Sequence, residues 1–186
     1  MPATPTGNDP AVPPAANPLT RAVLEIDSYA GTLGWDQPIR LFALVDTAAL
    51  AATEPTLAEQ LGLTDPQPGE LTPIEQEELP ADAPLDEFLG TIAWPDAVAG
   101  CALVAERLML PPSAEAAVPR DIGEKELADW VAAHPERQEV RLTVAVLRDG
   151  RRESAVRLRE RDSEQEVLTG AGLVPGMAEA LLATFS

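Results

Sequence analysis

The chain has 186 residues, of which 45% are hydrophobic and 24% are charged, and this balance excludes a wholly disordered or fibrous protein. Its 31 acidic residues against 13 Lys and Arg give a net charge of −18, which makes nucleic acids and anionic membranes poor partners. The single cysteine excludes an internal disulfide, and no apolar run is long enough for a transmembrane helix. The N-terminus lacks the basic head and apolar stretch of a secretory signal, so we expect a cytoplasmic protein.

The first predicted elements are a tail and a helix. Residues 1–17 contain five prolines and little that a core could bury, which predicts a disordered tail. Asn17 then caps a helix over 18–33, and Gly34 ends it. Apolar residues recur in this helix at three- and four-residue steps, which predicts one buried stripe; they are Leu19, Val23, Ile26, Ala30 and Leu33.

A buried strand is predicted at 39–45, where the sequence reads IRLFALV. Two short helices follow at about 47–53 and 56–61, and the second opens with a Thr-x-x-Glu capping box. Residues 63–83 are rich in proline and acid, and we interpret them as a loop. This loop contains a further box-like helix start at 72–75.

The second half begins with a short helix over 85–92, which a Trp-Pro pair terminates. Residues 99–110 are apolar enough for a central strand. An Asp-x-x-Glu capping box at 121–124 opens a helix that runs to about Ala133, and a last helix begins at about Pro175.

A β-hairpin over 139–160 is the clearest local signal, because both arms alternate around an Arg-Asp-Gly turn. A two-residue Asp-Gly loop would place apolar residues of one arm opposite polar residues of the other. A three-residue loop with a left-handed Gly150 keeps the apolar side chains on one face. It pairs Val140 with Leu158, Leu142 with Val156 and Val144 with Ser154.

The order of these elements predicts an α+β fold. Strands joined by a hairpin, with helices at both ends of the chain, favour an antiparallel sheet over a doubly wound parallel one. We therefore expect residues 18–186 to form a single domain, in which the C-terminal hairpin and two further strands make a sheet flanked by helices.

Two short motifs are similar to those of the protein tyrosine phosphatases, namely Trp94-Pro95-Asp96 and the Cys101-x5-Arg107 spacing. The five residues between Cys101 and Arg107 include no glycine, so they could not turn backbone N–H groups toward a phosphate. The Asp also lies far closer to the cysteine than in that family. We therefore interpret Cys101 as an inert thiol in an apolar strand.

Three other sequence features are candidates for a binding or catalytic site, and none has the pattern that such a site requires. The glycines of TGAGLVPG at 169–176 lack the spacing of a nucleotide-binding loop. His134, the single histidine, stands at a helix end beside a proline, where an imidazole usually meets carbonyl groups or water. Eight acids between Asp65 and Phe88 lack the spacing of a calcium loop. No catalytic residue, metal ligand or cofactor is predicted.

Charge is segregated along the chain. No basic residue lies between Arg40 and Arg107, a stretch with thirteen acids, whereas eight arginines lie within 137–161. The polar face of the hairpin therefore predicts a docking surface for an acidic protein segment, unless the chain's own acidic loop covers it. The predicted partner-binding residues are Arg141, Arg157, Arg159 and Arg161.

The segments 33–50, 92–112 and 134–159 together resemble an uncharacterised family of small actinobacterial cytosolic proteins. The resemblance spans roughly 20–186 and implies a single domain, but it supplies no catalytic or binding residues. A weaker likeness, at the level of fold, is to the small acidic chaperones of type III secretion.

The sequence thus predicts a non-enzymatic protein-interaction module, either an adaptor or a chaperone-like protein. The alternative is an enzyme, or a sensor of a small ligand or metal, with a pocket lined by carboxylates.

Overall fold

One antiparallel sheet of six strands organises the molecule, and the predicted α+β class is confirmed. The computed structural model describes residues 17–63, 69–79, 84–162 and 166–185, so the predicted tail lies, apart from Asn17, outside the described residues. The strands are β1 (Ile39–Asp46), β2 (Leu71–Leu79), β3 (Val98–Met109), β4 (Gln138–Leu147), β5 (Arg152–Leu158) and β6 (Leu168–Gly170), in the spatial order β2-β1-β3-β4-β5-β6. The helices are α1 (Pro18–Thr32), α2 (Thr47–Thr53), α3 (Pro55–Gln60), α4 (Leu85–Leu89), α5 (Pro112–Glu115), α6 (Glu124–Ala133) and α7 (Pro175–Ala183), with a 3₁₀ turn at Arg159–Arg161.

Helix α1 covers one face of the sheet. It begins as predicted, because the Asn17 side-chain oxygen accepts a hydrogen bond of 3.0 Å from the Leu19 N–H. Its apolar stripe packs against Phe42 and Leu44 of β1 and against apolar residues of β3 to β5. The buried side of the helix also carries an acid, Asp27, which is only 1% exposed.

Helices α4 and α7 cover the opposite face. Leu89 and Leu181 are buried there against Leu41, Leu103 and Val144 of the three central strands. Because β1, β3 and β4 are covered on both faces, they appear in the sequence as nearly continuous apolar runs. This is why their positions could be predicted without an alternating pattern.

The hairpin of β4 and β5 has the predicted register. Val140 pairs with Leu158, Leu142 with Val156, and Val144 with Ser154. Gly150 has a φ of +94°, and the Leu147 N–H donates to the Arg151 carbonyl across the turn at 2.8 Å. The three-residue loop is therefore confirmed.

The prediction that 63–83 is entirely a loop is wrong, because it contains β2. The box-like helix start at 72–75 is likewise a strand, antiparallel to β1. Proline and successive acids usually indicate a loop, but an edge strand tolerates both, since one side of its backbone faces away from the sheet. Strand β2 is such an edge strand.

Two predicted capping boxes are not formed. Helix α3 starts one residue earlier, at Pro55, and helix α6 follows Gly123, and neither has a side-chain hydrogen bond at its cap. In α3 the fixed backbone angle of the proline sets the start, so Thr56 lies inside the first turn. Strand β6 was not predicted, because three residues beside a glycine-rich turn show no periodicity.

Candidate functional site

Arg157, a predicted partner-binding residue, is buried beneath α1. Its guanidinium pairs with Asp27 of α1, with Nη2 2.6 Å from Oδ2, and with Asp162, with Nη1 2.9 Å from Oδ1. Both residues of the Arg157–Asp27 pair are at most 5% exposed. The pairing raises the pKa of Arg157 further, so this cation is permanently charged and internally neutralised.

Arg141 lies beside Arg157 and is also buried, at 1% exposure. Its Nη2 donates to the Gly34 carbonyl, and its guanidinium stacks 4.4 Å from the centre of the Trp35 ring. Burial lowers the pKa of Arg141, although its nearest acids oppose the shift. An external partner does not reach either arginine.

Arg159 and Arg161 remain at the rim. Arg159 contacts Asp36 at 3.0 Å and Glu139 at 3.4 Å, and Arg161 is exposed. The prediction of one docking surface made of four arginines is therefore wrong for Arg141 and Arg157, because α1 and the turn after it cover them.

Within the described part of the chain, the ion pairs of Arg157 and Arg159 join them to acids outside the predicted acidic loop. Two of the loop's acids, Glu75 and Glu78, pair with Arg40 on β1. The acids that neutralise the hairpin come instead from α1, from the turn that follows it, and from the segment after β5.

Cys101 lies in the core between the sheet and α7. Burial raises the pKa of its thiol to about 12, so the thiolate is scarce near neutral pH. Its sulfur is 3.9 Å from the Leu181 carbonyl, and Arg107 Nη1 donates to the Glu106 carbonyl. These contacts agree with an inert thiol and not with a phosphatase loop.

The remaining candidates have structural surroundings. His134 Nδ1 accepts a hydrogen bond from the Glu136 N–H, and its ring lies 5.1 Å from that of Trp130. The glycine-rich segment forms β6 and the turn before α7. Across the described ranges, no three His, Cys, Asp or Glu side chains are grouped closely enough to hold a metal ion.

Strand β2 lies at one edge of the sheet. Among the residues that the structure describes, β2 pairs with β1 alone. Thr47 N donates to Glu70 O at 2.9 Å, so these two residues form a hydrogen-bonded pair. Hydrogen-bonded and non-bonded pairs alternate along antiparallel strands, so this bond identifies which residues of β2 bond to β1. Thr72 and Ile74 therefore direct their backbone groups toward β1. The outward-directed groups belong to Leu71, Pro73 and Glu75.

A cavity of about 370 Å³ opens between this strand and α1, and we call it the Tyr29 cavity. Its floor is apolar and its rim acidic, and its lining residues are Glu25, Ile26, Tyr29, Phe42, Pro73 and Glu75. The Tyr29 hydroxyl donates to Glu75 Oε2 at 2.9 Å. Partial burial raises the pKa of the Glu25 carboxyl, and Glu70 adds to this rise while Arg21 opposes it.

A second cavity, of about 310 Å³, opens on the other face of β2, and we call it the Trp94 groove. Its lining is largely apolar and consists of Leu41, Gln76, Phe88, Ile92, Ala93, Trp94 and Pro95. The Trp94 ring is held in place, since its Nε1 donates to Thr184 Oγ1 at 2.9 Å and it stacks on Phe185. One strand edge thus has an acidic cavity on one side and an apolar groove on the other.

Sequence reasoning missed both cavities. Glu25, Tyr29 and Trp94 carry no recognisable motif, and they come together only because β2 lies at the edge of the sheet. The stretch without basic residues after Arg40 was the one sequence feature that could indicate an acidic surface near these cavities, because it contains β2.

Within the described part of the chain, no helix combines the length and apolarity needed to cross a membrane.

Comparison with curated proteins and with solved structures finds no match. A family model described as PPA1309-like protein matches residues 19–186, which include every described element of the fold except the helix-capping residue and the first position of α1. The chain therefore belongs to the PPA1309-like protein family.

Proposed function

We propose that this protein is a non-enzymatic protein-interaction module, of the adaptor or chaperone-like kind, which binds an extended segment of its partner as an additional strand on β2. The observation that carries the proposal is the outward-directed backbone of β2, which presents N–H and C=O groups at Leu71 and Glu75 and a C=O group at Pro73. Added strands gain affinity from such main-chain hydrogen bonds.

The cavities beside β2 support this mode of binding. Successive side chains of an added strand point to opposite faces of the sheet. One set would meet the Tyr29 cavity and the alternate set the Trp94 groove, since these cavities open on opposite faces. Pockets for alternate side chains are what gives strand addition its specificity.

The test begins with selection of random displayed peptides on the full chain; the peptides are about ten residues long, the upper end of usual strand lengths. The enriched peptide is then resynthesised with a single backbone N-methyl group at each position in turn. Because only alternate residues of an added strand donate to β2, we expect binding to be lost at every second position. Amide signals of residues 71–79 should shift in NMR spectra of the complex.

Several outcomes would overturn the proposal. These are a failure to enrich any peptide over an unrelated acidic protein, N-methyl effects without alternation, and amide shifts that avoid β2. If small amines such as free arginine raise the thermal midpoint at concentrations where no peptide binds, a small-ligand sensor with a carboxylate-lined pocket is supported instead.

We further propose a cytoplasmic location and an actinobacterial source. The preference for Arg over Lys, with one lysine in the chain, and the resemblance of three segments to small actinobacterial proteins support this inference. Fractionation of the native cells with an antibody to the chain would test the location, and recovery in the membrane or extracellular fraction would contradict it.

A further inference from the structure

We infer that the partner segment alternates basic and apolar side chains, with Arg or Lys entering the Tyr29 cavity and aliphatic or aromatic residues entering the Trp94 groove. This inference rests on the proposed strand addition at β2 and specifies the chemistry of the added strand.

The Tyr29 cavity favours a cation. Two carboxylates, Glu25 and Glu75, line a space whose floor is formed by Ile26 and Phe42. Arg40 neutralises Glu75 only in part, since it also pairs with Glu78. A guanidinium or ammonium group placed here would have an acidic rim for its charge and an apolar floor for its methylene stem.

The aromatic rings of the cavity add to this preference. Tyr29 is 42% exposed and meets Phe42 edge to face, with ring centres 6.3 Å apart. A cation close to the face of an exposed ring is attracted by its negative π density. Burial, and to a smaller extent Glu70, raises the pKa of Glu25, while Arg21 opposes the rise; a bound cation would add to the effect of Arg21 and stabilise the charged carboxylate.

The Trp94 groove favours an apolar side chain. Of its lining side chains, only Gln76 and Trp94 carry polar groups; Gln76 Nε2 already donates to the Ile74 carbonyl at 3.0 Å, and Trp94 Nε1 donates to Thr184 Oγ1 at 2.9 Å. Phe88 and Trp94 supply aromatic walls, and Leu41 lies buried at the base. Burial of an apolar side chain at this groove gains free energy, because it removes apolar surface from water.

Charge also argues against a second copy of this chain as the occupant. Two β2 edges placed side by side would bring the acids of one, Glu75 and Glu78, against the acids of the other. Like charges on adjacent strands are destabilising. The same acids attract a basic strand, and the net charge of −18 would speed its approach.

The probe is a blocked peptide in which Arg and Val alternate, compared with a Glu-Val version and with a version in which the Arg and Val residues are sorted into two blocks. We expect the alternating Arg-Val peptide to bind about tenfold more tightly than either control, and to weaken with added salt. Fluorescence anisotropy on the full chain provides the measurement.

Protein variants localise the effect. Glu25→Gln and Glu75→Gln should each weaken the Arg-Val peptide and reduce its salt dependence, whereas the control Glu179→Gln, an exposed acid of α7, should change neither. Trp94→Ala should weaken binding without changing the salt dependence. Equal binding of the Glu-Val or block peptide, or no response to both carboxylate variants, overturns the inference.

Failure of this inference can be told from failure of the proposed function. If peptides selected from the random library show alternating N-methyl sensitivity but no basic residues, strand addition stands and the basic specificity is wrong. If the alternating sensitivity is missing, strand addition itself is wrong, whatever the charge of the peptide.

Discussion

Two arginines of the hairpin segment illustrate how burial decides the value of an ion pair. Arg157 and Asp27 meet in the interior, with both side chains almost fully removed from water. Arg159 and Asp36 meet at a similar distance at the surface, where the Asp36 side chain is 74% exposed. Water and salt screen the second pair and not the first. The interior pair therefore fixes α1 on the sheet, and the surface pair adds little.

The first prediction compares these pairs. Asp27→Asn should lower the free energy of unfolding by about 3 kcal/mol, because it leaves the Arg157 charge buried without its main counter-ion. Asp36→Asn, the same chemical change at the surface, should have little effect. Urea denaturation followed by circular dichroism measures both, and equal losses in the two variants would show that burial does not set the strength of the Arg157–Asp27 pair.

One feature of the sequence indicates that α1 covers arginines of the hairpin. Asp27 stands four residues after Val23 and three before Ala30, so it lies on the apolar stripe predicted for α1. An acid on a buried stripe needs a cation facing it. The helix pattern could therefore predict that some arginine is buried beneath α1, but not which one, because the pairing spans 130 residues of sequence.

At the scale of elements, prediction succeeded where a pattern was local. The hairpin register followed from one turn and the alternation of its two arms, and α1 followed from its cap and its stripe. Strand β2 was missed because Pro73 and its acids are typical of loops, and only its place beside β1 makes it a strand. The two cavities were missed with it, since each needs β2 as a wall.

The second prediction concerns Gly100, where β3 passes between β1 and β4. A methyl group at this position would collide with the Val146 carbonyl oxygen and lie 2.7 Å from a Leu147 methyl group. Gly100→Ala should lower the free energy of unfolding by about 2 kcal/mol, because the strands must move apart to admit it.

Gly123→Ala is the matched control. Gly123 has a φ of −68°, and an added methyl group would meet nothing within 4 Å. Its change in the free energy of unfolding should stay within about 0.5 kcal/mol. A Gly100 variant as stable as this control would show that β3 and β4 are not closely packed at this point.

At the scale of the whole molecule, the net charge of −18 is unevenly compensated. The arginines of the hairpin are largely matched by acids brought to them by the fold, as Asp27, Asp36 and Asp162 show. The stretch 41–106, which contains β2, has thirteen acids and no basic residue, so cations for its acids must come from other parts of the chain. Most of the negative excess thus lies in the stretch of sequence that contains β2.

The third prediction follows from this excess. Repulsion among the acids opposes the folded state, and dissolved ions screen it. The thermal midpoint should therefore rise as sodium chloride is increased from low concentration to about 0.15 M, where the screening length falls to roughly 8 Å. Differential scanning calorimetry measures the midpoint, and a fall with salt would mean that screened ion pairs outweigh the repulsion.

The interior pair between α1 and β5 also constrains the order in which the chain can fold as it is synthesised. Helix α1 is the first described element to leave the ribosome, yet the cation that satisfies Asp27 lies 130 residues later. Until Arg157 emerges, burying the apolar stripe of α1 would also bury an unpaired carboxylate, which is costly. Helix α1 therefore packs on the sheet only after most of the chain has been synthesised. Docking of α1 and completion of the β4–β5 hairpin then occur together.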